Sequence, residues 1–285
     1  MEKYIANVDR QAPALYIVSG ATDSMGSLIA RRLAEQGKPL LLASRNLAKA
    51  EDYAEQLRKE TRNKDIQCLQ LDLNSFELVK DFVERLKTLN RPIAVLVNNA
   101  GTLPRKSSLS PNGYEHTVQV NFLSTVLLSM LVSRMMAVTG GGRIVLSTSV
   151  SRRMVSLPYE FPAVSHFTQI GAYAQSKLAL TLFSIYMATR MRSDNVHVNC
   201  VNPGVVKAGM IAMHRWIGNV ADFYINHFPS PEAGVTPTMR ALESNDTGLF
   251  FEGEDRVKKT TAVLTNREEF IKVCNETMRI IKKYL

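Results

Sequence analysis

Six short apolar runs punctuate the first two thirds of the chain: Ala14–Ser19 (ALYIVS), Pro39–Ser44 (PLLLAS), Ile66–Leu71 (IQCLQL), Ile93–Asn98 (IAVLVN), Arg143–Ser149 (RIVLSTS) and Asn195–Asn202 (NVHVNCVN). They are rich in aliphatic side chains and show little polar alternation, which predicts strands buried on both faces. The stretches between them repeat apolar residues at helical spacing; Phe76, Val79, Phe82, Val83, Leu86 and Leu89 form one such stripe. Buried strands alternating with helices predict right-handed crossovers, a mostly parallel sheet and helices on both of its faces. The alternation runs through Asn202 without an interior boundary, so residues 1–285 read as one doubly wound α/β domain.

The last 30 residues are patterned differently. Phe270, Cys274, Met278, Ile281 and Leu285 share one helical face, while Lys272, Glu276, Arg279, Lys282 and Lys283 share the other, predicting a terminal helix over 266–285 docked on the body. The chain carries 35 basic and 26 acidic residues, a net charge of +9. Between Arg256 and Leu285 eight Lys or Arg face three Glu, so more than half of that excess lies at this end. A solvated helix face accounts for it, and no nucleic-acid partner is expected.

At 285 residues, 45% apolar and 21% charged, the composition is that of a folded globular chain. Cys68, Cys200 and Cys274 are odd in number and widely spaced, which excludes a disulfide framework and fits a reducing compartment. The N-terminal MEKYIANVDRQAP has no apolar signal core, and the most apolar stretch, near Thr125–Val138, reads as too short to span a bilayer. The expected location is cytoplasmic, without a transmembrane segment. The five histidines (His116, His166, His197, His214, His227) have no metal-ligand spacing, so no metal is expected.

The first run is followed by Ser19-Gly20-Ala21-Thr22-Asp23-Ser24-Met25-Gly26 and then a helical pattern. Gly20 permits a tight turn, Ser24 is small enough for backbone to approach a pyrophosphate, and Gly26 allows the helix to pack on the strand with its N-terminus facing the anion. A Rossmann-type dinucleotide fold follows. The second run ends in Ser44-Arg45, where an NAD-selective site carries an acid; a guanidinium there suits a 2′-phosphate, predicting NADP(H) in preference to NAD(H).

Tyr173 and Lys177 stand at i and i+4, neighbours on one helical face, after the fifth strand and Ser149. In this setting the chain resembles the short-chain dehydrogenase/reductase family. The motifs occur in the family's order from about Leu15 to Gly204: the glycine loop, Asp72-Leu73, Asn98-Asn99-Ala100-Gly101, Asn121, Ser149, Tyr173 with Lys177, and Pro203-Gly204. The 24-position step from Ser149 to Tyr173 and the Gly248-Leu249-Phe250-Phe251 stretch resemble the retinol-dehydrogenase-like and protochlorophyllide-reductase-like branch.

The resemblance implies roles. Tyr173 is the general acid/base, Lys177 holds the nicotinamide ribose, Ser149 binds the substrate oxygen and Asn121 supports a proton path to Lys177. Asp72 and Leu73 flank the adenine; Asn99, Ala100 and Gly101 line the cofactor; Pro203 and Gly204 shape the nicotinamide pocket. Ser24 and Met25, with Gly20, Gly26, Ser44 and Arg45, complete the cofactor set. Ser24 replaces the usual middle glycine, Leu146 a polar residue, and Ala208 a threonine near the carboxamide. The proton chemistry is consistent with these roles: free Tyr, with pKa about 10, is poorly matched to neutral pH, and lowering it about three units takes roughly 4 kcal/mol, which an ammonium and an oxidised nicotinamide favour.

Two apolar segments, 150–172 and 205–228, follow strands five and six; they read as a substrate loop and a helical lid over an apolar pocket. Met154, Val155, Leu157, Tyr159, Phe161 and Phe167 lie in the first, and Met210, Ile211, Met213, Trp216, Ile217, Phe223 and Tyr224 in the second. Arg152, Arg153, Lys207 and Arg215 would recruit an anionic group on the substrate. The expected function is carbonyl–alcohol interconversion on an apolar small molecule. The alternative is a catalytically retired NADP-binding regulatory protein, against which the complete Asn121, Ser149, Tyr173, Lys177 set argues. A homo-oligomer is compatible with the sequence, since family members often pair through the helices bearing Asn121 and Tyr173.

Overall fold

The structure, a computed structural model, describes residues 1–158, 160–162, 167–204 and 231–285. Strands β1 (Leu15–Ser19), β2 (Leu40–Ser44), β3 (Ile66–Gln70), β4 (Ile93–Asn98), β5 (Gly142–Ser147) and β6 (Val196–Asn202) follow the six apolar runs, and β7 (Leu249–Glu252) and β8 (Arg256–Lys259) add an outer pair. They form one eight-stranded sheet in the order β3-β2-β1-β4-β5-β6-β7-β8. Neighbours from β3 to β7 are parallel, and β8 alone returns antiparallel on β7. The order reverses beside β1, and the crevice at the carboxyl ends of β1 and β4 is where such a fold binds its ligand.

Helices cover both faces. Against one lie α2 (Ser24–Glu35), α3 (Leu47–Thr61) and α7 (Pro231–Glu243), packing Ile29, Leu33, Leu57 and Val235 on Val18, Leu40, Leu42 and Val97. Against the other lie α4 (Phe76–Lys87), α5 (His116–Ala137) and α6 (Gln169–Arg190), packing Phe76, Phe82, Phe122, Leu127 and Phe183 on Ile17, Leu41, Leu96 and Ile144. Side-chain caps start these helices where the sequence supplies them: Asn46 accepts from Lys49 N–H, and Ser75 from Glu77 and Leu78 N–H. Near the N-terminus lies the short helix α1 (Glu2–Asn7).

The terminal helix α8 (Arg267–Ile281) docks as the periodicity predicts, capped by Asn266 and ending in a 3₁₀ turn, Lys282–Tyr284. Its buried face is Val273, Cys274, Thr277, Ile280 and Ile281, rotated from the predicted stripe because it straddles α6 and reaches α4, where Tyr284 packs on Phe76. Three other expectations need correction. Helix α5 spans 22 residues, longer than the apolar run anticipated, and is long and apolar enough to cross a membrane; 72% of its most apolar window is buried in the body, the position of a core helix. Strand β5 ends at Ser147, so Ser149 lies beyond it, at the start of a 3₁₀ turn over Val150–Met154. Phe161, read as a pocket wall, is buried in the core against Phe122, with ring centroids 5.7 Å apart. The lid over 205–228, with Lys207, Ala208 and Arg215, lies outside the described residues, as do Tyr159 and residues 163–166 of the substrate loop.

Candidate active site

The glycine loop is held by backbone contacts that exclude any larger residue. Gly20 has φ +65°, and a Cβ there would stand 2.9 Å from the Ala100 Cα. A Cβ on Gly26 would fall 2.0 Å from the Gly20 carbonyl oxygen and 2.6 Å from Asn99 Nδ2, so the first turn of α2 lies directly on the loop. Ser24 and Met25 open that helix. Its N-cap, Asp23, makes no side-chain cap bond and turns instead onto Lys49, while the Asp23 carbonyl accepts from Gly26 N–H at 2.9 Å. The buried Ser19 hydroxyl accepts from Asn99 and Ala100 N–H, both at 3.1 Å, which ties the ends of β1 and β4 together. A glycine cradle against an uncapped helix start fits a dinucleotide pyrophosphate.

At the neighbouring strand end the buried Ser44 hydroxyl lies 3.2 Å from Thr22 Oγ1, which sets the exposed Arg45 at the rim of the loop. The Asp72 carboxylate accepts from Asn74 N–H at 2.9 Å and Leu73 is buried, so this pair forms a rigid corner after β3.

Asn121 sits in a π-helical turn, Gln119–Leu123, within α5. Its Oδ1 accepts from Thr102 N–H at 2.7 Å and its Nδ2 donates to the Thr102 carbonyl at 2.9 Å and to Ser176 Oγ at 3.4 Å. The buried amide therefore clamps the loop that follows Gly101. A Cβ on Gly101 would lie 3.4 Å from Asn121 Oδ1 and 3.7 Å from Lys177 Nζ, so this glycine separates the two side chains. From the buried face of α6, Lys177 donates to the Ser147 carbonyl at 2.8 Å, with its ammonium 5.6 Å from the centroid of the Tyr173 ring. The Ser149 hydroxyl accepts from Ser151 N–H at 3.2 Å and from Ser151 Oγ at 3.0 Å, and lies near enough to Tyr173 to draw on its phenol. The structure thus gathers Asn121, Ser149, Tyr173 and Lys177 around the carboxyl ends of β4 and β5.

The electrostatics of the group differ from the expectation. Burial pushes the Tyr173 phenol above its ordinary value, and the Ser149 hydroxyl pulls it part of the way back. Burial brings Lys177 down to about 8. The protein's own groups therefore do not lower the phenol. Desolvation dominates, and the ammonium is directed at the Ser147 carbonyl.

Pro203 and Gly204 follow β6, with Gly204 N–H donating to Asn202 Oδ1 at 3.1 Å. Asn202 Nδ2 donates in turn to the buried Glu252 of β7 at 2.8 Å, and Arg153 pairs with the same carboxylate at 3.1 Å. Glu252 and the Ser147 carbonyl are positioning groups that the sequence did not reveal. Glu252 lies far along the chain from its partners, and a carbonyl carries no residue identity. Of the substrate-loop side chains, Val155 and Leu157 pack against the core, whereas Met154 is 71% exposed. Among the described residues no group of three or more His, Cys, Asp or Glu could hold a metal ion.

The model of the family described as short chain dehydrogenase matches residues 14–215. Human polyprenol dehydrogenase is 29% identical over 234 residues, covering 79% of this chain and 71% of that protein. Mouse retinol dehydrogenase 13 is 27% identical over 279 residues, covering 93% and 83%. A solved short-chain dehydrogenase from Escherichia coli CFT073, complexed with NADPH, superposes with a TM-score of 0.67 at 23% identity, covering 87% of this chain and 98% of that one, a likeness of fold. The chain belongs to the short-chain dehydrogenase family, among relatives that include retinol dehydrogenases, and is an NAD(P)-dependent oxidoreductase acting on CH–OH groups.

Proposed function

We propose that the enzyme interconverts a carbonyl and an alcohol with NADP(H), using Tyr173 as general acid/base, on a substrate with an apolar body. The observation that carries this reading is the grouping of the four side chains: Asn121 and Lys177 meet at Gly101, Lys177 lies 5.6 Å from the Tyr173 ring centroid, and Ser149 is near the Tyr173 phenol. Gly20, Ser24, Met25 and Gly26 would hold the pyrophosphate, and Ser44 with Arg45 the 2′-phosphate. Asp72 and Leu73 would hold the adenine, while Asn99, Ala100, Gly101, Pro203 and Gly204 would line the nicotinamide side. Bound NADP(H) supplies the hydride; the protein supplies orientation and a proton.

With its pKa raised by burial, the Tyr173 phenol holds its proton at neutral pH and can pass it to a carbonyl oxygen as that oxygen gains charge. The Ser149 hydroxyl, near enough to the phenol to draw its pKa down, would donate to the same oxygen. The tyrosinate left behind lies beside Lys177, whose ammonium is held at the Ser147 carbonyl and is the nearby positive group that stabilises it. Asn121, through Thr102, keeps the backbone at Gly101 from shifting into this space.

An apolar substrate agrees with the names of the relatives, polyprenol dehydrogenase and retinol dehydrogenase, both alcohols with long apolar bodies. The three free cysteines are in keeping with the proposed cytoplasmic location. The test is NADPH oxidation across ketones, aldehydes and quinones, repeated with NADH. Turnover of bulky apolar carbonyls with NADPH well above NADH is expected. Tight NADPH binding without turnover of any carbonyl would favour the retired regulatory protein, and higher kcat/KM on sugars or polar ketones would overturn the substrate class.

A further inference from the structure

Arg152 lies three residues beyond Ser149, in the 3₁₀ turn, yet its side chain runs inward and is only 4% exposed. The guanidinium lies over the Phe250 ring of β7, 4.5 Å from its centroid. Among the described residues its Nε and Nη2 are buried and have no hydrogen-bond partner. These two nitrogens form one edge of the guanidinium, with parallel N–H bonds, the fork that meets both oxygens of a carboxylate. Buried donors without partners are rare enough that each calls for a physical cause.

The neighbourhood supplies charge of the wrong sign. Arg153 and Lys258 are close by, and the one acid acting on it among the described residues, Glu252, is engaged elsewhere. Its Oε1 accepts from Asn202 at 2.8 Å, both of its oxygens accept from Arg153 at 3.1–3.2 Å, and Lys258 Nζ lies 3.9 Å away. Three cations thus share one carboxylate, and the buried one has none to itself. The place is also connected to the reaction site. Leu146, Cys200 and Phe250 are register neighbours across β5, β6 and β7, and the buried Cys200 feels both Lys177 and Arg152. Two strand spacings, roughly 10 Å, separate the Phe250 ring's strand from the strand that anchors Lys177.

We propose that the Nε–Nη2 edge of Arg152 receives a carboxylate carried by the substrate, so that the substrate class is a carbonyl compound or alcohol whose apolar body ends in an acid group. As a statement about substrate this rests on the dehydrogenase reading; as an anion subsite it does not. Shielded from water, a carboxylate on this edge makes a charge-assisted, two-point contact, and Arg153 adds positive charge at the approach.

The test compares 4-carboxybenzaldehyde with its methyl ester in the NADPH-loaded full chain, for the wild type, Arg152→Met and Arg152→Lys. In parallel, benzoate, benzamide and inorganic phosphate are titrated against thermal unfolding, which needs no turnover. The acid should exceed the ester in kcat/KM by about tenfold or more, mainly through KM, as a charge-assisted pair requires. That ratio should collapse toward one in Arg152→Met and be partly restored in Arg152→Lys. Benzoate should raise the Tm of the wild type and not that of Arg152→Met, while benzamide raises neither. Arg152→Met should itself fold at least as stably, since it removes a buried unpaired charge; Arg152→Gln serves if it does not fold.

An acid preference that survives in Arg152→Met, or equal benzoate shifts in both proteins, would overturn the subsite. Stronger protection by phosphate than by benzoate would overturn the carboxylate assignment. Benzoate protection lost in Arg152→Met, with no aldehyde turned over, would keep the subsite and refute the dehydrogenase reading. Ester reduction without acid preference or benzoate protection would do the reverse.

Discussion

The two halves of the crevice are built by different means. From β1 to Gly101 the work falls to backbone shape: Gly20 and Gly26 admit close approach, Ser19 ties two strand ends, and α2 starts against the loop without a side-chain cap. From Ser149 to Glu252 it falls to enclosed side chains, with Tyr173, Lys177 and Arg152 each losing water on folding. A site made of backbone dipoles is fixed by steric fit and holds its properties over a wide pH range. A site made of buried ionisable groups depends on what packs around it, so its protonation and its stability are linked.

Four substitutions separate the halves. The largest effect is expected from Tyr173→Phe, which removes the proton donor and keeps the ring: turnover should fall about a hundred- to ten-thousandfold. NADPH affinity should scarcely change, because the glycine cradle is untouched; near-normal turnover in a steady-state assay would erase the distinction between the halves.

Lys177→Met addresses stability. In the folded chain Lys177 loses its proton near pH 8, against an ordinary value of 10.5. The unfolded chain therefore binds the extra proton between those values, and the wild type gains stability as pH rises from 8 toward 10.5. Below pH 8 it carries the full cost of a buried charge, at most about 3.4 kcal/mol for a shift of this size. Arg152 is unchanged in both proteins, so the comparison isolates Lys177. The methionine variant should be the more stable at pH 7, with an advantage that shrinks above pH 8. Denaturant melts at pH 7, 9 and 10.5 check this, and an advantage that grows with pH would contradict it.

Gly26→Ala tests the backbone half. Its methyl meets the Gly20 carbonyl and cannot be absorbed by a rotamer change, so a loss of about 2 kcal/mol in stability is expected. NADPH affinity should fall by about tenfold or more, with the pH dependence of stability unchanged. Arg45→Ala should have the smallest effect. Because Arg45 is exposed, its contact with a 2′-phosphate is screened and lies at the low end for charge-assisted bonds, about 1.5 kcal/mol. NADPH should weaken about tenfold and NADH hardly at all; equal losses in a binding titration would remove Arg45 from cofactor choice.

This division also explains what could be read from the chain before folding. The strands from Leu15 to Asn202 are local patterns, set by neighbours within a few residues, and they form where the apolar runs predict, apart from the early end of β5 at Ser147. Tyr173 and Lys177 were legible because four residues of helix bring them together. The burial of Arg152 over Phe250, the Glu252 clamp on Asn202 and the anchoring of Lys177 by a strand carbonyl each join segments far apart in sequence. Phe161 illustrates the limit: its composition suits a pocket wall or a core equally, and only the position of Phe122 decides between them. The return of β8 on β7 was missed for a related reason, since RVKK has a charged exposed edge and no buried period.

The π turn at Asn121 bears on insertions and deletions. Ser124 N–H bonds the Gln119 carbonyl five residues back, so this turn of α5 holds one residue more than an α-helical turn. Removing any single residue between Gln119 and Leu123 would restore the tighter winding and rotate one end of the helix against the other by about 100°. Either the amide would leave Thr102 or the apolar end, with Leu127, Leu128 and Val132, would turn away from the sheet. A change of frame at this point is therefore expected to disrupt the helix, whereas the loops before His116 and after Ala137 can change length without turning it.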